Sequence, residues 1–169
     1  LTVPANVTLN FTGDGRISCG TFTVTIQSGT TNWPGQQIFA ADCSSTGSVS
    51  FAGNTKADEI RTAWWGDTGD GATNDTAAIQ AALKTCNTIG GTVRIASGTH
   101  IISSANGIFV NGSNCTLSGN GASTILSGLT ISNTIGVSGS FPTVNFTIKD
   151  LKVLPGSVGG INISGDYNR

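Results

Sequence analysis

The sequence predicts an all-β chain wound as a solenoid, with one short helix packed on its core. Three observations carry that prediction. Strand-forming Thr, Val and Ile recur in very short segments separated by Gly and Asn, residues suited to tight corners. One segment alone, from about Thr76 to Cys86, has a helical period. Related strands return at intervals of roughly twenty to twenty-five residues, the repeat of a structure in which each turn buries one layer of a common core. A β-sandwich is the competing architecture, because short strands with frequent turns also describe it. The single early helix and the brevity of the strands favour the solenoid.

The elements follow in order. In residues 1–60, a β-rich lead-in, alternating segments fall at Val7 to Phe11, Arg16 to Ser18, Phe22 to Ile26, Gln37 to Phe39 and Ser48 to Phe51. Turn signals separate them at Gly13-Asp14-Gly15, Trp33-Pro34-Gly35 and Ala52-Gly53-Asn54, and no helix is predicted among them. Residues 61–91 hold an acidic glycine turn and the helix. Ala78, Ile79, Ala82, Leu83 and Cys86 share one face of it. Asn74 or Asp75 supplies the N-cap, and Gly90-Gly91 ends it. In residues 92–169 strands resume at Thr92 to Ile95, His100 to Ile102, Ile108 to Val110, Thr116-Leu117, Thr124 to Leu126, Leu129 to Ile131, Ile135 to Val137, Val144 to Val153 and Ile161 to Ile163. The three parts read as one continuous domain.

Composition narrows the function classes. Charged residues make up only 10% of the 169, and the net charge is −1; an ordinary globular chain carries about 25% charged residues. Gly, Thr, Ser and Asn supply nearly half the chain. No basic block suits nucleic acid, so no nucleic-acid partner is expected. No apolar run reaches the roughly 18 residues of a membrane span, so no membrane partner is expected. The chain starts at Leu1 and contains no Met, which predicts a processed or partial protein with both ends belonging to something longer.

Cys19, Cys43, Cys86 and Cys115 allow three disulfide connectivities. Pairing Cys19 with Cys43 and Cys86 with Cys115 is favoured, because each interval is about one coil and adjacent strands lie about 4.8 Å apart. Four buried thiols are the alternative. With no C-x-x-C pair and a single histidine, His100, no metal ligand set and no cofactor is expected. Sequons at Asn6, Asn10, Asn74, Asn111, Asn114, Asn145 and Asn162 arise readily in such a chain and carry little weight.

Candidate site residues are few. Asp67, Asp70 and Asp75 could be read as the paired carboxylates of glycoside cleavage, but a glycine-flanked turn and a helix start explain Asp70 and Asp75 better. Their spacing does not fit a calcium loop. Trp33, Trp64 and Trp65 are the candidate carbohydrate-binding residues, since indole faces suit sugar rings; the competing use is to cover the junction between the lead-in and the helix. His100 reads as a structural histidine on a strand, with no acid near it in sequence.

The run from Gly66 to Leu83 (GDTGDGATNDTAAIQAAL), followed by Gly90 to Leu126 and then by Val144 to Val153, resembles the pectate-lyase-like superfamily. It is similar to the N-terminal part of right-handed parallel β-helix proteins such as phage tailspikes and related polysaccharide-active proteins. Ala96 stands where such proteins usually carry Pro, and His100 where an aromatic ring is common. The resemblance implies a right-handed parallel β-helix on the extracellular or virion surface, and a homo-oligomer that engages polysaccharide. Any activity it implies is that of a polysaccharide lyase or glycoside hydrolase. The family's lyases use calcium-binding acids beside a basic residue, and its hydrolases use clustered Asp. Lys149, Asp150 and Lys152 form neither set, and Asp166 is isolated, so no catalytic residue is expected in this segment. A structural subunit joining through stack ends or strand exchange is the alternative.

Overall fold

The computed structural model describes residues 1–28, 31–53, 59–104, 107–110, 114–129, 133–138, 145–157 and 159–164. Asn54, Asn111, Thr130, Ile131, Val144 and Asp166 from the readings above lie outside them. The chain is mostly β with one long helix, and every strand pairing among the described residues is parallel.

The lead-in contains β1 (Thr2–Val3), β2 (Leu9–Asn10), β3 (Thr23–Ile26), β4 (Thr31–Asn32), a single helical turn α1 (Asp42–Ser45) and β5 (Ser48–Phe51). Sequence reading missed α1, because four residues are too few to show a helical period. The strands stack as β1–β3–β5 and β2–β4, and Ile17 bridges to Phe39. Registers such as Thr2 with Thr25, and Thr23 with Ser48, set each parallel partner more than twenty residues further along the chain. Alternation decides the faces: Val24, Ile26, Val49 and Phe51 are buried, while Thr23, Thr25, Ser48 and Ser50 line the other side.

The second stack opens with β6 (Ile60–Arg61), a 3₁₀ turn at Thr62–Trp65, β7 (Asp70–Asn74) and α2 (Thr76–Ile89). Three coils follow. They are β8 (Gly91–Arg94), β9 (Gly98–Ile102) and β10 (Ile108–Val110); β11 (Cys115–Ser118), β12 (Thr124–Gly128) and β13 (Asn133–Ser138); and β14 (Phe146–Lys149), β15 (Lys152–Leu154) and β16 (Gly159–Ser164). They stack as β6–β8–β11–β14, β7–β9–β12–β15 and β10–β13–β16. Inward positions align into columns. Ile60, Val93 and Leu117 are each 1% exposed or less, and Leu117 stacks on Ile148. Each such aliphatic contributes about 1.5–3 kcal/mol by leaving water.

α2 runs three residues past the predicted end, and Gly90 stops it at φ 76° with its N–H on the Cys86 carbonyl. The Gly-Asp-Gly turn also works as a strand, since Asp70 pairs with Thr99 and Asn74 with Ile101 across an irregular register. Both expected disulfides form. Cys19–Cys43 joins neighbouring coils of the lead-in, with Cα atoms 5.0 Å apart, and Cys86–Cys115 ties α2 to β11, with Cα atoms 6.2 Å apart. The two stacks share one apolar core.

Candidate functional site

The acids of the glycine turn separate into two kinds. Asp70 is exposed and turns back on its own loop. Its Oδ1 accepts from the N–H of Ala72 at 2.8 Å and of Thr73 at 2.7 Å, and its Oδ2 accepts from the Thr73 hydroxyl at 2.7 Å. These bonds favour the charged form and hold its pKa down to about 2. That is the turn role expected of it.

Asp67 and Asp75 do something the linear sequence does not show. The β7–β9 pairing brings the loop over His100, and all three side chains are at most 1% exposed. His100 Nδ1 lies 2.5 Å from Asp67 Oδ1 and 3.5 Å from Asp75 Oδ2, and Nε2 lies 3.1 Å from the Ala96 carbonyl. Both ring nitrogens therefore face oxygens, Asp67 and Asp75 on one side and the Ala96 carbonyl on the other, an arrangement that favours the doubly protonated ring. Burial alone would lower the His100 pKa, yet the bonds to Asp67, Asp75 and Ala96 raise it to about 10.

The two carboxylates divide the remaining donors. Asp67 also accepts from the Thr62 hydroxyl, although burial outweighs these bonds and pushes its pKa upward. Asp75 accepts from the N–H of Thr68 at 2.9 Å and of Gly69 at 3.2 Å. Burial is opposed there by the bonds to His100, Thr68 and Gly69, and its pKa falls. Asp75 occupies the N-cap position of α2 without bonding the helix through its side chain. Asn74 performs that task, its Oδ1 accepting from the Thr76 N–H at 3.1 Å.

Asp67, Asp75 and His100 could also place three ligand atoms on a metal ion. The three side chains also satisfy one another without an ion, because both ring nitrogens and both carboxyl groups have hydrogen-bond partners within the cluster and its loop. Packing closes the cluster further: a Cβ on Gly69 would lie 2.7 Å from His100 Cε1, and one on Gly98 would lie 2.4 Å from the Gly69 carbonyl oxygen. No substrate reaches such a cluster. It fastens the loop to the strand beneath it.

The tryptophans are placed differently from a sugar platform. Trp64 and Trp65 are 1% and 3% exposed, and their rings lie in the core. Trp33 is half-buried and stacks on Trp64 at 4.7 Å, with Phe11 at 6.2 Å and Phe51 at 5.0 Å. Trp65 packs on Phe39 at 4.8 Å. These aromatics form a ladder through the junction of the two stacks, the use that competes with sugar binding for these residues. Large apolar faces stabilise most where water is excluded.

Lys149 and Lys152 straddle a corner, with Lys149 closing β14, Lys152 opening β15 and Asp150 at φ 55° between them. The sequence model of a family described as rhamnogalacturonase A/epimerase, pectate lyase-like, matches residues 64–161, and the chain belongs to that family. Among solved structures, the ORF18 protein of Geobacillus virus E2 aligns at 17% identity and a TM-score of 0.40, over 88% of this chain and 38% of its own. No curated protein matches the chain.

Proposed function

We propose, from membership of the pectate lyase-like family, that the chain is a right-handed parallel β-helix on an extracellular or virion surface, and that it engages polysaccharide along its outer wall. In this reading residues 1–60 are β-rich lead-in strands, 61–91 the turn and capping helix, and 92–169 parallel β-helix rungs of one continuous domain. Two disulfides support an oxidising location. Among the described residues no helix is long and apolar enough to cross a membrane.

The observation that carries the reading is a column of cations. Strand register aligns Arg61, Arg94, Ser118 and Lys149 across β6–β8–β11–β14. Arg61 and Lys149 are exposed, and Lys152 lies just past the corner. Arg94 is held along the wall by the Ser118 hydroxyl at 3.0 Å and the Gly119 carbonyl at 2.7 Å. Glu59 approaches both Arg61, at 3.8 Å, and Arg94, at 3.4 Å, so one acid serves two bases and positive charge is left over. Thr92, Thr116 and Thr147 run beside the column in register. Cations on three of four neighbouring strands, beside a row of threonine hydroxyls, suit an extended saccharide bearing carboxylates. Each exposed ion pair is worth at most about 1 kcal/mol, so the contact is multipoint and salt-sensitive. This reading assigns no catalytic residue.

Calorimetric titration with oligogalacturonate, against a neutral oligosaccharide of equal length, tests it. Saturable binding of the anionic probe that weakens with salt and in Arg94→Ala/Lys149→Ala is expected. No saturable heat with either probe overturns the reading.

A further inference from the structure

The loop before α2 and the strand β9 bring three metal-binding side chains to one point. His100 Nδ1, one oxygen of Asp67 and one of Asp75 lie within 4.8 Å of one another. Nδ1 stands 2.5 Å from Asp67 Oδ1 and 3.5 Å from Asp75 Oδ2. The other oxygen of each carboxyl group is held from outside the trio. Asp67 Oδ2 accepts from the Thr62 hydroxyl, and Asp75 Oδ1 accepts from the Thr68 N–H at 2.9 Å and the Thr68 hydroxyl at 3.3 Å. Asp75 Oδ2 also meets the Gly69 N–H at 3.2 Å. The far ring nitrogen, Nε2, lies 3.1 Å from the Ala96 carbonyl. A histidine whose outer nitrogen donates to a carbonyl, beside carboxylates that are themselves hydrogen-bonded, has the surroundings of a metal ligand.

Charge favours an ion over a proton in the middle. With the ring doubly protonated, two carboxylates face one positive charge, and a negative charge is left over among side chains at most 1% exposed. A divalent ion bound to a neutral ring brings the same cluster to zero, and an unbalanced buried charge is costly. The donor set selects the ion. Calcium takes roughly six to eight oxygens and magnesium keeps several waters, and neither suits an enclosed ring nitrogen. One nitrogen and two oxygens suit zinc or a similar transition metal. Ligands about 2.0–2.2 Å from such an ion stand about 3.4 Å apart at the tetrahedral angle. Nδ1 and Asp75 Oδ2 already have that separation, and Asp67 has to draw back by roughly 1 Å from its hydrogen bond. Asp67 lies in the loop between Gly66 and Gly69, so the loop, and not β9, takes up the movement.

We propose that Asp67 Oδ1, Asp75 Oδ2 and His100 Nδ1 bind one divalent transition-metal ion of the zinc type, as a structural centre that locks the glycine loop onto β9. The ion replaces the proton on Nδ1, which leaves to solvent as the ion enters. The three side chains are out of reach in the folded chain, so the ion is taken up during folding. His100 is the sole histidine and all four cysteines are in disulfides, so no other imidazole or thiolate competes for the ion. The centre is independent of the cation wall.

The test unfolds the chain in urea with its disulfides intact and refolds it with and without zinc, at mildly alkaline pH where protons compete least. About one zinc retained per chain after dialysis is expected. The thermal midpoint should rise by about 5–10 °C at zinc a hundred-fold above its Kd. Asp67→Asn should retain at least about ten-fold less zinc and lose the midpoint shift. Refolding with cobalt(II) identifies the ligand, since the ring-proton resonances of the sole histidine should move far outside their ordinary range. A refolded chain without zinc, or zinc retained equally by Asp67→Asn, overturns the proposal. So do His100 ring resonances that cobalt leaves in place. If Asp67→Asn fails to fold, the cobalt spectrum of the unaltered chain decides alone: shifted ring resonances support the centre, and unshifted ones overturn it.

Discussion

The lead-in and the second stack use one architecture and hold it together by different means. The lead-in joins parallel strands that lie far apart in sequence, as the second stack does, but its strands are shorter and no buried ion pair occurs among its described residues. It relies on Cys19–Cys43 and on the aromatic ladder through Phe11, Trp33 and Phe51. Its half-buried Asp42 accepts through Oδ2 from the Ser18 hydroxyl at 2.5 Å and the Gly20 N–H at 2.7 Å. The second stack buries aliphatic columns and an imidazolium between two carboxylates. A thin core needs covalent and aromatic ties, while a deep core can enclose charge if every proton finds an acceptor.

His100→Ala is the strongest way to break the contrast. It leaves Asp67 and Asp75 buried beside each other, and a loss of about 3–5 kcal/mol is expected in urea denaturation. Exchange protection should fall at β7 and β9 and persist at β3 and β5. A loss below about 1 kcal/mol would show that the cluster does not hold the loop. Leu117→Ala opens a cavity in an inward column and should cost about 2–5 kcal/mol, read in the same assay. Replacing Cys19 and Cys43 by Ser should cost about 2–4 kcal/mol, with the exchange gain concentrated in the lead-in. Uniform loosening of both stacks would instead show that they unfold as one unit.

Changing pH should separate the stacks more gently. The folded His100 pKa is raised to about 10 from an ordinary value near 6.5. Its contribution is complete below about 6.5 and is lost as pH rises toward 10, because the unfolded ring gives up its proton first. Asp75, with a lowered pKa, acts oppositely: its contribution is present above its ordinary value and disappears in acid. Thermal midpoints should therefore fall from neutral to alkaline pH, and this slope should vanish in His100→Ala. The smallest effect is expected for Asp70→Asn, whose exposed turn bonds are retained in part by the amide. Its midpoint at neutral pH should stay close to that of the unaltered chain.

Much of this was legible in the residues. The Thr76 start, the apolar stripe from Ala78 to Cys86 and the Gly90 stop marked the helix because capping and period are local properties. Both cysteine pairs were legible because their spacing matched a coil. The His100 cluster was missed, since its members lie 33 residues apart for Asp67 and meet only through strand register. One signal was available: a histidine at an inward position of a strand needs a buried partner, and the only nearby coil with spare acids was the glycine turn. For the tryptophans the residues offered two uses, a sugar platform or cover for the junction, because ring chemistry does not say which way a ring points.

By itself the sequence determined the strand-and-corner rhythm, the single long helix, its ends and the two disulfides, because period, turn chemistry and chain spacing are written locally. Only the tertiary structure decided that Asp67 and Asp75 enclose His100 and that Trp33 and Trp64 face each other. Those contacts depend on which coil lies over which. That stacking is set by the packing of the whole core, and no short stretch of the chain contains it.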